Sequence, residues 1–434
     1  MQNSLMKFIE KNIEWLATIA VVLMTTFGLF SILLDNLGIK IVNTVLKVIP
    51  IIVLYLLFLY QKTHYGIRIY DRSFFNYYMI YCIYILLDIT VFRKYPLEIM
   101  TTVPKSLVIY IYNFVISIGY FICAKVIVSH FNTRKFLFLS VFICAIPSVL
   151  FIQFVGVDVL QAGLGASIDP DDEDYINSLA ITYSNMPMLV LAVVFFKSLF
   201  TKKFYSVIAC SIVIVIILYV LFVFGKRGPL LWSFVSIIFC FIIKSVSLRK
   251  YVFIFGFVIM TSYVFMDSFL NVVKDVLPQT GQRLETSINE GDTHGRFDVE
   301  DSKHSTYLIG LENFSRSPIW GYYFRLVTDY QKYRGSYAHN VFVEILMTMG
   351  LFGFIPFVLF LLKAYRKSRL VFTRPHLPSQ MACFVFFLCS FFRLQTTGSC
   401  VFNNCFWLFF YVLCSLDKLD DVKNNGYLSP VKES

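Results

Sequence analysis

Along most of the chain, apolar runs of roughly twenty residues alternate with short polar punctuation, and the period between punctuation marks stays near the thickness of a bilayer core. Read on that criterion, the pattern predicts about twelve membrane-spanning helices. They lie near 13–34, 41–60, 74–92, 104–128, 136–155, 179–199, 204–224, 229–246, 251–270, 341–362, 379–393 and 400–416. The expected organisation is one integral membrane domain over 1–434. Nine spans fill 13–270, a polar segment occupies 271–340, three spans fill 341–416, and a polar tail closes 417–434. The fold class is therefore all-α and polytopic, with a single large loop.

Composition sharpens this picture without altering it. Hydrophobic residues make up 58% of the sequence and mean hydropathy is +0.70, well outside soluble-domain usage. The first run, 13–34, reads as a span rather than a cleavable leader, because no small-residue cleavage site follows it. A net charge of +11 suggests nucleic acid in a soluble protein; here the bilayer surface is the partner that accounts for it, and no nucleic acid is expected. Placing both termini in the cytoplasm puts most of the 38 Lys and Arg on that side, including KAYRKSR at 363–369, and the reverse topology would break the positive-inside rule. The ten cysteines lie almost all in apolar runs with no CxxC pair, so neither a disulfide framework nor a zinc site is indicated. The 18% aromatic content is read as lipid-facing and interfacial surface.

Four stretches invite a chemical reading. FVFGKRGPLLW at 222–232 sets Lys226 and Arg227 in a tight external turn. They either punctuate a helical hairpin or present a cation pair to an anionic lipid headgroup, for which the planar guanidinium fork is suited. EGDTHGRFDVEDSKH at 290–304 can be sketched as a metal site through His294, Asp298, Glu300, Asp301 and His304, but the spacing fits no ligand signature and a solvated mixed-charge loop explains it. The paired aspartates of DPDDED at 169–174 resemble a nucleotide-sugar motif only weakly, and they fall on the external side, where nucleotide sugars are absent. GSYAHNVFVEILMTMGLFGF, from Gly335, is the most informative: Asn340 is a good N-cap for an apolar helix starting at Val341, with Glu344 one turn inside. His339 then sits at a helix N-terminus, where the dipole disfavours imidazolium and attracts anions. Arg227, Arg296, Arg334 and His339 can converge on one face there.

GKRGPLLW, GRFDVE followed by SRSPIWGYYF, and SYAHNVFVEILMTMGLFGF, in this order around one long external loop, resemble the O-antigen polymerase and O-antigen ligase superfamily, over roughly 205–415. The resemblance implies a GT-C-like membrane fold and a metal-independent, inverting glycosyl transfer on the periplasmic face of the bacterial inner membrane, with no cofactor. The donor implied is an oligosaccharide on undecaprenyl diphosphate, which is also the leaving group. Carried over by motif, Arg227 and Arg296 would hold the diphosphate, and His339 would orient or deprotonate the attacking sugar hydroxyl. Lys226 stands where such proteins often carry Ser or Thr. With Arg334, Asn340 and Glu344 it completes the expected substrate-binding set.

Within that superfamily a polymerase extends a lipid-linked chain with a second lipid-linked unit, and a chain-length regulator is a partner it can take. A ligase instead transfers the finished chain to lipid A-core. GSYAHNVFVEIL looks more like the polymerase version. A flippase for the same lipids would also need about twelve spans and basic residues, but transporters usually keep external loops short and carry their charges at the midplane.

Overall fold

The computed structural model describes residues 2–36, 40–65, 79–80, 83, 123–124, 126–127, 130–157, 178–224, 227–244, 266–278, 280–282, 285, 306–321, 340–373, 378–395 and 404–415. Among them there is no strand. The helices are α1 (Gln2–Asn36), α2 (Lys40–Tyr65), α3 (Thr133–Val155), α4 (Ser178–Val194), α5 (Lys203–Val223), α6 (Arg227–Lys244), α7 (Met266–Val276), α8 (Thr306–Arg316), α9 (Val341–Thr373), α10 (Pro378–Arg393) and α11 (Asn404–Ser415). Three described stretches, Thr133–Val155, Lys203–Val223 and Val341–Lys363, are long and apolar enough to cross a bilayer. An all-α membrane protein fits these observations. The expected spans at 74–92 and 104–128, and most of 251–270, lie outside the described residues.

The middles of α4 and α10 are buried all round. Every residue of α4 from Ile181 to Ala192 is buried, as is α10 from Ala382 to Cys389. A helix buried on all faces belongs in the middle of a bundle. α4 packs against α1, α3, α5, α6 and α10, while α10 packs against α4, α6, α9 and α11. The outer helices carry apolar stripes instead. On α3 the exposed positions Phe138, Phe142, Ile146, Leu150 and Phe154 recur every four residues, and on α9 Leu351, Ile355, Leu359 and Leu362 do much the same. Stripes of this kind are a liability in water and the expected surface in lipid.

The aromatic expectation needs correcting. Many rings fill the interior rather than the lipid face. Phe386 of α10 stacks on Phe409 of α11 at 4.5 Å and meets Phe136 of α3 edge-on at 4.8 Å; higher on α10, Phe387 stacks on Phe406 and Phe391 meets Phe342 of α9 edge-on. Lipid tails are as apolar as side chains, so helix association in a bilayer depends on close packing. Flat, polarisable rings in tilted pairs supply it.

Local irregularities have local causes. In α3 the turn Val141–Ala145 widens to a π turn just before Pro147, whose ring cannot donate to the ladder and crowds the preceding carbonyl. The start of α3 is capped by Asn132, whose Oδ1 accepts from the Arg134 and Lys135 amides at 3.0 and 3.1 Å. Lys135 also pairs with Glu14 of α1 at 2.7 Å, and Arg134 Nε donates to the Leu199 carbonyl between α4 and α5. These contacts gather one end of the bundle. The other end is gathered by α10.

Candidate functional site

α6 begins at Arg227, so Gly228 and Pro229 lie in the first helical turn, where proline is tolerated because its missing N–H has no partner anyway. One and a half turns on, Trp232 stacks on Phe392 of α10, with centroids 5.1 Å apart and planes 7° from parallel. Next to Phe392, Arg393 ends α10, and its Cζ lies 4.9 Å from the centroid of the Tyr183 ring on α4. Two residues further, the Gln395 side chain accepts from Asn340 Nδ2 at 3.0 Å. The end of α10 thus touches the start of α4, the leading part of α6 and the first turn of α9 together.

Asn340 uses both ends of its amide. Oδ1 accepts from the Phe342 and Val343 amides at 2.9 and 3.2 Å, an N-cap in the expected place, while Nδ2 goes to Gln395. Asn340→Ser keeps an acceptor for the cap and loses only the Gln395 bond, so it is expected to cost about 1 kcal/mol. Asn340→Ala loses both, for about 2 kcal/mol. Thermal unfolding of the two variants in detergent checks the order. Glu344 is buried in the first turn of α9, near the positive end of the helix dipole, and Thr348 Oγ1 donates to its carbonyl at 2.7 Å. Lys226, Arg296, Arg334 and His339 lie outside the described residues.

The segment expected as a 271–340 loop contains helical structure. α7 runs through its expected start at 271, and α8 lies inside it. After α8 the turn Ser317–Gly321 docks on a break in α9. Gly350 has φ 59° and ψ −159°, which interrupts the helix, so the Leu351 and Phe352 amides lose their helical partners. They donate instead to the Pro318 and Ile319 carbonyls, at 2.8 and 3.1 Å. Within the turn, the Gly321 amide donates to the Ser317 carbonyl at 2.9 Å, and the Trp320 ring packs on Phe352 at 5.0 Å. The SPIWG stretch thus works largely through its backbone: it caps the second half of a broken helix.

α10 thus joins α6 to the start of α9, while the 317–321 turn joins α9 further along, at Gly350. Residues 212–358 match the family model for O-antigen ligase. That third of the chain is consistent with the O-antigen polymerase and ligase superfamily, whose activity is glycosyltransferase-like. No curated protein matches the chain. The match contains Arg227, Arg296, Arg334, His339, Asn340, Glu344 and the 317–321 turn. Tyr183, Arg393 and Gln395 lie outside it. Sequence reasoning missed these three, since an arginine ending an apolar run looks like ordinary punctuation. The signal available was that 378–392 holds no other charge.

Proposed function

We propose that the chain is a polymerase of O-antigen or a related polysaccharide, joining units carried on undecaprenyl diphosphate at the periplasmic face of the inner membrane. One observation carries the reading: α10 ties the helix that starts at Arg227 to the helix that starts beside His339. The far end of the bundle supports the orientation, because Arg134, Lys135, Lys197, Lys202 and Lys203 lie there, as positive-inside topology requires.

In this reading the acceptor hydroxyl oxygen attacks the anomeric carbon of the donor from the face opposite the diphosphate. A carbon–oxygen bond forms as the bond to the diphosphate breaks, with inversion, and the diphosphate leaves with the electron pair. Arg227 and Arg296 hold the charge that grows on it, work that fixed cations do well in a dry site. Lys226 and Arg334 add to the positive field, and the hydroxyl proton passes to His339. Asn340 and Glu344 act by holding the first turn of α9.

A second reading keeps the chemistry and changes the acceptor: a ligase that delivers the glycan to lipid A-core. The description of the matched family favours it, while the GSYAHNVFVEIL stretch favours the polymerase. A gel of surface lipopolysaccharide from cells lacking the protein separates them. Core capped by a single unit, returned to a ladder by the wild-type chain, is the expected result. Bare core with lipid-linked chains accumulating would establish the ligase instead. An unchanged ladder would remove the chain from O-antigen assembly.

A further inference from the structure

Resting on the reading above, we propose that Arg393 is an additional binding residue of the same site and takes the diphosphate of the lipid-linked substrate. It is the only charge in α10 and comes after fifteen uncharged residues, so it brings a permanent cation to the edge of an apolar bundle. Ionisable side chains in such places mark substrate pathways.

Its surroundings suit an anion. The Arg393 Cζ lies 4.9 Å from the centroid of the Tyr183 ring, a cation–π contact that holds the permanent charge at this end of α10. Tyr183 belongs to a buried polar run on α4, Thr182 to Asn185, which is an unusual lining inside a membrane bundle. Asn185 carries this polarity further, donating to Ser148 Oγ on α3 at 3.0 Å and to the Ile181 carbonyl at 2.9 Å.

Position adds to chemistry. Phe392, the neighbour on one side, is stacked on Trp232 of the helix that Arg227 opens. Gln395, two residues on, is bonded to Asn340, the neighbour of His339. Arg393 therefore sits between the two stretches that the proposed chemistry uses. A diphosphate held by the first and attacked beside the second passes the place where its guanidinium is fixed. The residue lies outside the matched 212–358 region, so its place in the site is argued from the packing of α10 against α4, α6 and α9.

The experiment is a titration of the full-length protein in detergent with two probes, undecaprenyl diphosphate and undecaprenyl monophosphate. It is run on wild type, Arg393→Gln, Arg393→Lys and Arg227→Gln, with an unfolding midpoint measured for each. Arg393→Gln is expected to bind the diphosphate carrier about 10–100-fold more weakly, as befits the loss of a charge-assisted pair. Its preference for diphosphate over monophosphate should shrink as well, and Arg393→Lys should recover part of both. If Arg393→Gln proves unstable, the lysine variant carries the test, since it keeps the charge and loses the fork. Unchanged affinity and preference in the folded variants, or a lowered midpoint with unchanged affinity, overturns the proposal. If Arg227→Gln alone loses binding, the functional reading survives and this inference does not. If wild type binds neither carrier, both fail.

Discussion

Gly350→Ala is expected to lose most of its folded yield, with any protein recovered from membranes unfolding well below wild type. Two costs combine. The backbone at Gly350, φ 59° and ψ −159°, belongs to a region that only glycine occupies readily, and forcing a Cβ into it costs about 1–3 kcal/mol. That Cβ would also lie 2.5 Å from the Ile319 carbonyl carbon and 2.7 Å from the Trp320 nitrogen, so backbone must yield, not a side-chain tip. If the turn moves away, the Leu351 and Phe352 amides lose the Pro318 and Ile319 carbonyls, at about 1–3 kcal/mol for each donor left unsatisfied. Gly321→Ala attacks the same contact from the other side, since its Cβ would meet the Thr348 carbonyl and the Met349 nitrogen at 2.5 Å. The two substitutions are therefore expected to be strongly non-additive. Gly156→Ala is the control: φ is 89° there too, yet nothing lies within 4 Å of the added carbon, so only backbone strain is felt. If Gly350→Ala costs no more than Gly156→Ala, the turn does not clamp the helix.

This contact shows what the sequence made legible and what it hid. Most described helices follow the apolar runs closely, because a bilayer demands length and hydropathy and both can be counted along the chain. The break in α9 was not legible. Pro356 is the residue in that helix that normally signals a kink, but the helix runs on through it and breaks at Gly350, six residues earlier. The cause lies in a partner 29 positions upstream in sequence, and no local rule links Gly321 to Gly350. The helix at the expected start of the long segment was not legible either: α7, Met266–Val276, crosses position 271, because an amphipathic helix that follows apolar sequence leaves no clear break in hydropathy.

The candidate site was legible where chemistry and sequence coincide. The Asn340 cap follows from an Asn before an apolar run, and the structure has it in place. Arg393, Tyr183 and Gln395 become meaningful only through neighbours on other helices. Tyr183 in particular is indistinguishable from the other tyrosines until the arginine is seen above its ring. A polar residue at the edge of a span owes its role to what the next helix brings to it, and hydropathy does not record that.

His339→Ala is expected to lower turnover by about 10²–10⁴-fold, the usual contribution of a positioned general base. In the proposed reaction His339 is the proton acceptor. Asn340 satisfies the first free amides of α9 and is tied to α10, which fixes the start of that helix. A general base acts only in its unprotonated form, so its role should appear in the pH profile. In wild type the rate should climb with pH through the imidazole range and level off once the ring is neutral; in His339→Ala that limb should vanish. Binding of undecaprenyl diphosphate should change little, because the alanine removes a proton acceptor and leaves the cations in place. These signatures separate a base from a structural histidine, whose loss would lower the unfolding midpoint and weaken binding and turnover together. Purified protein given a lipid-linked unit and an acceptor supplies the rates. Turnover within threefold of wild type, with the pH limb intact, would remove His339 from the chemistry and leave the hydroxyl to be activated by another group.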